Sequence, residues 1–283
     1  MPQTTKIFIQ IRIFGNGHDE IWPKTGSFCL TGQLFSQFLT QRLYFCGMTT
    51  EESQHIQFEE GAAFLIDKPL DWTSFDVVRK VRNLIKIKKV GHAGTLDPLA
   101  SGLLIICTGK FTKKINEYMA KEKEYTGSFI LGAVTPTYDL ESEPENFKPF
   151  EHLSPADIEA ATKKFIGEIE QVPPIHSAIK KDGKRVYELA RKGIDVKLDP
   201  RKITISEFEV NSTKLPQVQF RVVCSTGTYI RSLANDFGKA LGCGAYLSSL
   251  CRTRIGEFHL KYAVNIGDFE KAIKEKRNKE FKI

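Results

Sequence analysis

The sequence lacks several features that mark common classes of protein. No stretch approaches the roughly 18 uninterrupted apolar residues of a membrane-spanning helix, so we expect no membrane span. None of the six cysteines forms a C-x-x-C pair, which argues against a small zinc or disulfide-rich domain and favours reduced thiols in the cytoplasm. No G-x-x-x-x-G-K-[ST] and no strand-linked G-x-G-x-x-G occurs, and no His/Cys/Asp cluster has metal spacing. We therefore expect neither a cofactor nor a metal.

Positive charge is in modest excess. The chain carries 41 Lys and Arg against 34 Asp and Glu, a net charge of +7, which weakly suggests a polyanionic partner. One basic cluster lies within residues 77–96, which contain no acidic residue, and a second within residues 180–192. Each cluster is compatible with a solvated face or with a surface that binds nucleic acid.

The first part of the chain differs from the rest. Residues 1–47 mix Gly, Gln, Thr and Phe, and Met48 is followed by a polar stretch such as often begins a folded chain. We interpret residues 1–57 as an N-terminal extension that is either disordered or the product of a start site assigned too early. A real N-terminal strand, with alternating isoleucines at 7–13, is the open alternative.

The remaining chain mixes strand and helix patterns without a regular βαβ rhythm, which predicts an α+β fold with a mostly antiparallel sheet. Helices are predicted to begin at Thr73 and Ser154 by their capping patterns, and another to span residues 228–241. Residues 135–151, rich in Glu and Pro, are predicted to form an exposed loop. Apolar runs and alternating patterns predict strands at 62–67, 103–108, 124–133, 201–210 and 217–225.

The most informative segment is GHAGTLDPLASGLL, which begins at Gly91. Its glycines and proline surround one carboxylate, Asp97, just before a predicted buried strand. A residue that precedes proline is pushed toward extended conformations, so Asp97 should sit in a defined loop, where catalytic groups often lie. The alternative is an Asx-turn in which Asp97 caps backbone amides. The residues alone leave both interpretations open.

This segment resembles the signature of the TruB family of pseudouridine synthases, and the resemblance extends over about residues 61–260. It implies the pseudouridine synthase fold: an α+β structure with a mixed, largely antiparallel sheet, flanking helices and a central RNA-binding cleft. Four further blocks resemble the family in the same order: DKPLDWTSFDVV (67–78), KEYTGSFILGAVTPTYDLESE (123–143), QVPPIHSAIKKDGKRVYELARKG (171–193) and GTYIRSLANDFGKALGCGAYLSSLCRTRIG (227–256).

The resemblance also implies roles for individual residues. Asp97 would be the catalytic carboxylate, Tyr125 would stack on the target base and take part in proton transfer, and Arg231 would hold Asp97 through a bidentate guanidinium. From the residues alone, Tyr125 could instead pack within a strand and Arg231 could lie on a helix surface. The implied substrate-binding residues are Lys68, His92, Lys180, Lys184, Tyr229 and Leu250.

The implied activity is isomerisation of uridine to pseudouridine at position 55, in the T arm (TΨC loop) of tRNA. The bond from ribose C1′ to N1 must break, the uracil must rotate, and a bond to C5 must form. A carboxylate could attack C1′ or C6, or remove a ribose proton, and the sequence does not choose among these. The implied partner is tRNA, with no obligate protein partner and a monomeric enzyme. Action on another RNA and RNA chaperone activity are the alternatives.

The resemblance also implies a domain organisation. Residues 58–260 would form the catalytic domain, and residues 261–283 a short basic tail with one helix over 266–282. Many bacterial members of the family carry a small RNA-binding domain (PUA-like) after the catalytic core. The tail is too short for one, so we expect a catalytic core without it.

Overall fold

The computed structural model describes residues 58–177, 180–181, 184–186 and 198–280. The predicted N-terminal extension, residues 1–57, lies outside these ranges, as does much of the second basic cluster. The described residues form one large sheet flanked by helices, which confirms the predicted α+β class. Within them, no helix combines the length and the apolar character needed to cross a bilayer.

The helices follow the predicted starts closely. The helices with described bounds are α1 (Ser74–Ile85), α2 (Ile115–Ala120), α3 (Pro155–Thr162), α4 (Ile230–Leu241) and α5 (Ile266–Glu280). Short 3-10 turns occur at Gly109–Lys114, Lys163–Phe165 and Leu260–Tyr262. Thr73 and Ser154 each close a capping box, and Gly242 ends α4 in the left-handed conformation.

Ten strands form the main sheet, in the order β12-β1-β3-β10-β4-β9-β8-β5, with β11 paired to β10 and β2 paired to β3. Two pairs, β1–β12 and β3–β10, are parallel, and the other pairs of this sheet are antiparallel. The strands β6 and β7 form a separate hairpin. The bounds are β1 (Ala63–Lys68), β2 (Val90–Ala93), β3 (Ala100–Thr108), β4 (Lys123–Leu131), β5 (Gly167–Gln171), β6 (Lys180–Lys181), β7 (Lys184–Arg185), β8 (Arg201–Lys214), β9 (Gln217–Cys224), β10 (Ala245–Ile255), β11 (Phe258–His259) and β12 (Val264–Asn265).

One edge of β3 changes its partner along its length. Residues 100–102 pair with β10, whereas residues 105–108 pair with β2, so the edge forks at Leu103 and Leu104. Gly102 stands at the fork with φ of 101°, and a Cβ there would lie 2.5 Å from the carbonyl oxygen of Arg252. Only glycine fits this position without displacing the backbone. The loop between β2 and β3 leaves the sheet at this fork.

The largest core cluster lies where α3 and α4 pack on strands β4, β8, β9 and β10. Phe129 is fully buried at its centre and stacks on Phe220, with ring centroids 4.0 Å apart. Phe208 and Phe237 complete the aromatic group, at 6.3 and 5.7 Å from Phe129. This cluster fixes α4 against the sheet.

A second core cluster joins α1 and α5 to strands β1 and β3. Phe269 and Ile273 of α5 are buried, and Phe269 meets Phe64 edge-on with centroids 5.2 Å apart. Glu270 of α5 also pairs with Lys80 of α1, at 2.6 Å. The helix predicted in the basic tail is therefore present, and it packs onto the domain through an apolar face.

The structure has more strands than the five predicted, and one predicted loop is wrong in part. The strand β10, which lies between β3 and β4, was not predicted, because AYLSSLCRTRI has no regular alternation of apolar and polar residues. The prediction of an exposed loop over residues 135–151 is wrong for its first part, since Thr135, Thr137 and Asp139 are buried. The hydroxyl of Thr135 donates to the carbonyl of Asp139, so this turn satisfies its own polar groups.

We predict that Phe129→Ala lowers the free energy of unfolding by about 3–5 kcal/mol, because it leaves a cavity among packed aromatic rings. Urea denaturation would measure the change. Phe147→Ala is the matched control, since this phenylalanine is 77% exposed and its removal should change little. Equal losses for both variants would contradict the assignment of the core.

Candidate active site

The loop that carries Asp97 is held along its backbone. Five consecutive carbonyls, from Gly94 to Pro98, each accept a hydrogen bond. The donors are Arg252 Nη2 to Gly94 (3.1 Å), Arg252 Nη1 to Thr95 (3.5 Å), Ser74 Oγ to Leu96 (3.1 Å), Ala100 N to Asp97 (3.1 Å) and Lys68 Nζ to Pro98 (3.3 Å). This loop is therefore a defined part of the scaffold, which suits a group that must meet a substrate in one geometry.

Ser74, the first residue of α1, contributes to the loop twice. Its buried hydroxyl donates to the Leu96 carbonyl and also accepts from the Leu96 amide, at 2.8 Å. The capping box of Thr73 starts the helix at this point and so places the hydroxyl beside the loop. A local sequence signal thus positions a residue that supports Asp97.

Lys68 was predicted to bind substrate, and the structure places it beneath the loop. The side chain is 0% exposed, and Nζ donates to the carbonyls of Pro69 (2.8 Å), Trp72 (2.6 Å) and Pro98 (3.3 Å). Burial lowers the pKa of Lys68 to about 8, and the nearby Asp97 carboxylate opposes this shift. Since three carbonyls occupy its three donors, direct contact with a substrate has no support in this geometry.

Arg231 and Asp97 form the predicted pair, but in a different geometry. Nε of Arg231 lies 2.9 Å from Oδ2 of Asp97, and its N–H is not directed at that oxygen, so the contact is an ion pair and not a hydrogen bond. The two terminal nitrogens donate instead to the carbonyls of Thr137 (3.2 Å) and His176 (3.0 Å). The prediction of a bidentate contact is therefore wrong, because the fork is engaged by two backbone segments.

A second carboxylate, that of Asp139, lies beside Arg231 and was given no role from the sequence. Its Oδ2 is 3.5 Å from Arg231 Nε, and its side chain is buried. Oδ1 accepts from the amide of Glu141, at 3.0 Å, which fixes the carboxylate within the turn. Asp139 lies within one of the blocks that resemble the family. Its position in that block was the sequence signal that could have marked it as a site residue.

The start of α4 is tied to β5. Gln171 donates to the Tyr229 carbonyl (3.1 Å) and accepts from the Tyr229 amide (2.8 Å). Ser232 donates to the carbonyl of Val172, at 2.8 Å. These contacts set the first turn of α4, and with it Arg231, against the Asp97 loop. The side chain of Tyr229 is half-buried at this start, and burial is the main reason that its pKa is raised.

An open cleft with an empty volume of about 280 Å³ adjoins these groups. Its charged lining residues are Asp97, Asp139 and Arg231, and Leu250 is among its apolar ones. Asp97 is 39% exposed, whereas Arg231 and Asp139 are each 6% exposed. Asp97 is therefore the carboxylate of the pair that is open to a substrate. Leu250 lines the same cleft as Asp97, and its role in substrate binding stays a prediction.

Tyr125 lies on β4, directly across from Arg252 on β10. Its ring is buried in the largest core cluster, with Leu250 packed against that cluster, and it does not line the cleft. Burial raises the pKa of its hydroxyl, while the positive charge of Arg252 acts in the opposite direction. Tyr125 is thus beside the Asp97 loop but beneath the surface of the cleft.

Neither His92 nor the two predicted lysines are among the residues that line the cleft. His92 is half-buried on β2, its Nδ1 has no hydrogen-bond partner in the described part of the chain, and burial lowers its pKa. Lys180 and Lys184 lie in the β6–β7 hairpin. In its backbone register Lys180 stands across from Arg185, and Lys184 stands across from Lys181. Among the described residues, no group of three or more His, Cys, Asp or Glu side chains could hold a metal ion.

Comparison with family models defines the class. The model described as TruB family pseudouridylate synthase (N terminal domain) matches residues 82–230. The model described as tRNA pseudouridylate synthase B C-terminal domain matches residues 231–282. The boundary between them falls at Arg231, within the site. The fold and the site are therefore those of a pseudouridylate synthase, an RNA isomerase.

Individual relatives identify the family. A tRNA pseudouridine synthase B of Flavobacterium johnsoniae is 54% identical over 80% of this chain and 100% of that protein. One of Phocaeicola vulgatus is 51% identical over 76% of this chain and 94% of that protein. The chain belongs to the TruB family.

A solved structure supports the same fold. A chain in the crystal structure of a Cbf5-Nop10-Gar1 complex is 28% identical, with a TM-score of 0.60. The match covers 79% of this chain but only 58% of that one. The predicted pseudouridine synthase fold is thereby confirmed.

We predict that Ser74→Ala loosens the Asp97 loop, because the Leu96 amide loses the Ser74 hydroxyl as its acceptor. A buried amide left without a partner should cost about 1–3 kcal/mol of stability. Hydrogen exchange of the peptide that spans residues 94–98 should quicken. Ser154→Ala, which removes a cap at about 1 kcal/mol on another helix, is the control and should leave that peptide unchanged.

Proposed function

We propose that this chain converts uridine to pseudouridine at position 55 of tRNA, in the T arm. The observation that carries the proposal is a single partly exposed carboxylate, Asp97, on a fully anchored loop at an open cleft. Two relatives at 54% and 51% identity bear the name tRNA pseudouridine synthase B. Their substrate is the natural inference for a chain that covers 100% and 94% of their length.

The geometry supplies positioning and electrostatics for the reaction. Arg231 lies 2.9 Å from Asp97 and 3.5 Å from Asp139, so one buried cation stands between two carboxylates. Because the guanidinium is also held by two carbonyls, it cannot rotate away as the reaction proceeds. An anchored loop and a fixed counter-charge need little reorganisation when charge develops in the transition state. Attack at C1′, attack at C6 and removal of a ribose proton are all compatible with this arrangement.

The uridine must leave its stack before Asp97 can reach the ribose. We propose that the extruded base enters beside Leu250, which lines the cleft. Tyr125 would then stack on the base and take part in proton transfer, with Tyr229 at the opposite wall and His92 beneath neighbouring nucleotides. Support for these roles is that Tyr125 pairs with Arg252, which holds the Asp97 loop. In addition, Tyr229 begins the helix of Arg231, and His92 lies on the strand that leads into the loop. Lys68 acts in this scheme by holding the loop.

The same relatives also suggest where the enzyme acts and with which partners. We propose that the enzyme is a cytoplasmic monomer that acts on tRNA without an obligate protein partner. We also propose that residues 58–260 hold the catalytic residues. The packing of α5 onto α1 adds residues 266–280 to the same folded body. Recognition of tRNA would rest on the cleft and on the β6–β7 segment.

We predict that Asp97→Asn abolishes activity while tRNA binding persists. Loss of the carboxylate should reduce the rate by at least about 100-fold, the lower end of what a positioned proton-transfer group contributes. Tritium release from C5 of uridine in a T-arm stem-loop would measure the rate. Asp199→Asn, at an exposed carboxylate, is the matched control. No release by the unmodified protein despite tight binding would favour another RNA substrate or a chaperone role.

We predict that Lys180→Glu combined with Lys184→Glu weakens tRNA binding in a salt-dependent way. If each lysine neutralises one phosphate, the slope of log affinity against log salt should fall by about 1.4–1.8. Filter binding across a salt titration would measure the slope. Lys163→Glu with Lys164→Glu gives the same change of net charge outside this segment. Equal slopes for the two double variants would count against a role for the hairpin.

A further inference from the structure

Arg252 occupies the fork in the edge of β3. It is 1% exposed, and its backbone stands across from Gly102 on one side and from Tyr125 on the other. It is therefore the residue at which the catalytic loop, the strand after it and the strand of Tyr125 come together. The sequence analysis gave it no role.

The guanidinium of Arg252 donates to three carbonyls. Nε reaches Leu103 at 2.8 Å, Nη1 reaches Thr95 at 3.5 Å and Nη2 reaches Gly94 at 3.1 Å. Its strand partner on the other side is Tyr125, whose ring is buried beside it. Within the described ranges, no carboxylate pairs with it. A buried cation without an anionic partner is costly, and an apolar side chain of similar volume often packs better.

Two kinds of contact can be separated in this arrangement. The Leu103 carbonyl lies at the fork, where β3 pairs with neither β10 nor β2. A donor at this point gives a hydrogen bond to a carbonyl that these strands leave unpaired. The Gly94 and Thr95 carbonyls belong to the loop of Asp97. These two contacts are not needed to close the sheet. They join the catalytic carboxylate loop, through one rigid planar group, to the residue that pairs with Tyr125 across the sheet.

We propose that Arg252 is a positioning residue, which fixes the Asp97 loop relative to Tyr125, its partner across the sheet, during isomerisation. The inference rests on the proposed function. Arginine is required because its planar fork presents several donors in fixed directions, whereas lysine has one nitrogen and glutamine has two hydrogens on one side.

The test compares Arg252→Lys and Arg252→Gln with the unmodified protein on full tRNA. Single-turnover rate constants at saturating enzyme, tRNA dissociation constants and urea midpoints are measured for each. We expect the rate constant to fall by about 10- to 100-fold, the scale of a misplacement near 1 Å, with affinity changed less than about twofold. The lysine variant should retain more activity than the glutamine variant. Arg254→Lys, two residues along the same strand, is the matched control and should keep its rate.

A double-variant cycle with Tyr125→Phe tests the connection between the two residues. If Arg252 acts through Tyr125, Arg252→Gln should reduce the rate less in the Tyr125→Phe background than in the unmodified one. A role in stability alone would lower the urea midpoint equally in both backgrounds and leave the rate per folded molecule unchanged.

Two outcomes would overturn the proposal: rate constants near the unmodified value in both Arg252 variants, or full additivity of the Arg252 and Tyr125 effects. The unmodified protein, assayed alongside, separates the possible failures. No pseudouridine from it rejects the proposed function and this inference together. Normal product from it, with either of the two outcomes above, rejects the role of Arg252 alone.

Discussion

The exchange of partners along one edge of β3 is the constraint on which the site depends. Pairing with β10 ends at Gly102 and pairing with β2 begins at Ile105, so the connection between β2 and β3 must leave the sheet there. Backbone carbonyls that the sheet leaves unpaired need other donors when they are buried. The side chains that supply them also hold the loop of Asp97. The rigidity of the catalytic group is thus a consequence of how the sheet divides.

Three buried basic residues share this task from different directions. Lys68 comes from β1, Arg252 from β10 and Arg231 from α4, and each donates to main-chain carbonyls. Only Arg231 faces carboxylates at ion-pair distance among the three, as far as the described residues show. All three buried cations therefore hold backbone segments in place, and Arg231 in addition faces the carboxylates of the site. The excess charge of the whole sequence gave no indication of this division.

Signals confined to a few neighbouring residues predicted their part of the structure well. The caps at Thr73 and Ser154 are local, and both helices begin where these residues indicate. Proline and glycine marked the loop of Asp97, and the resemblance to the TruB family implied its catalytic role. By contrast, the burial of Lys68 and the pairing of Asp139 with Arg231 depend on segments distant in sequence. The strand β10 was missed for the same reason, since its polar residues are satisfied only by its neighbours in the sheet.

The position of β10 has a consequence for the order in which the molecule assembles. This strand lies between β3 and β4, yet it is made after both, and the contact of Arg252 with Leu103 spans 149 residues. During synthesis the facing edges of β3 and β4 must stay apart, and unpaired, until residues 245–255 have emerged. Unpaired edges of this kind are where growing chains associate wrongly. The strand that completes the active site is therefore also the one whose late insertion closes the sheet.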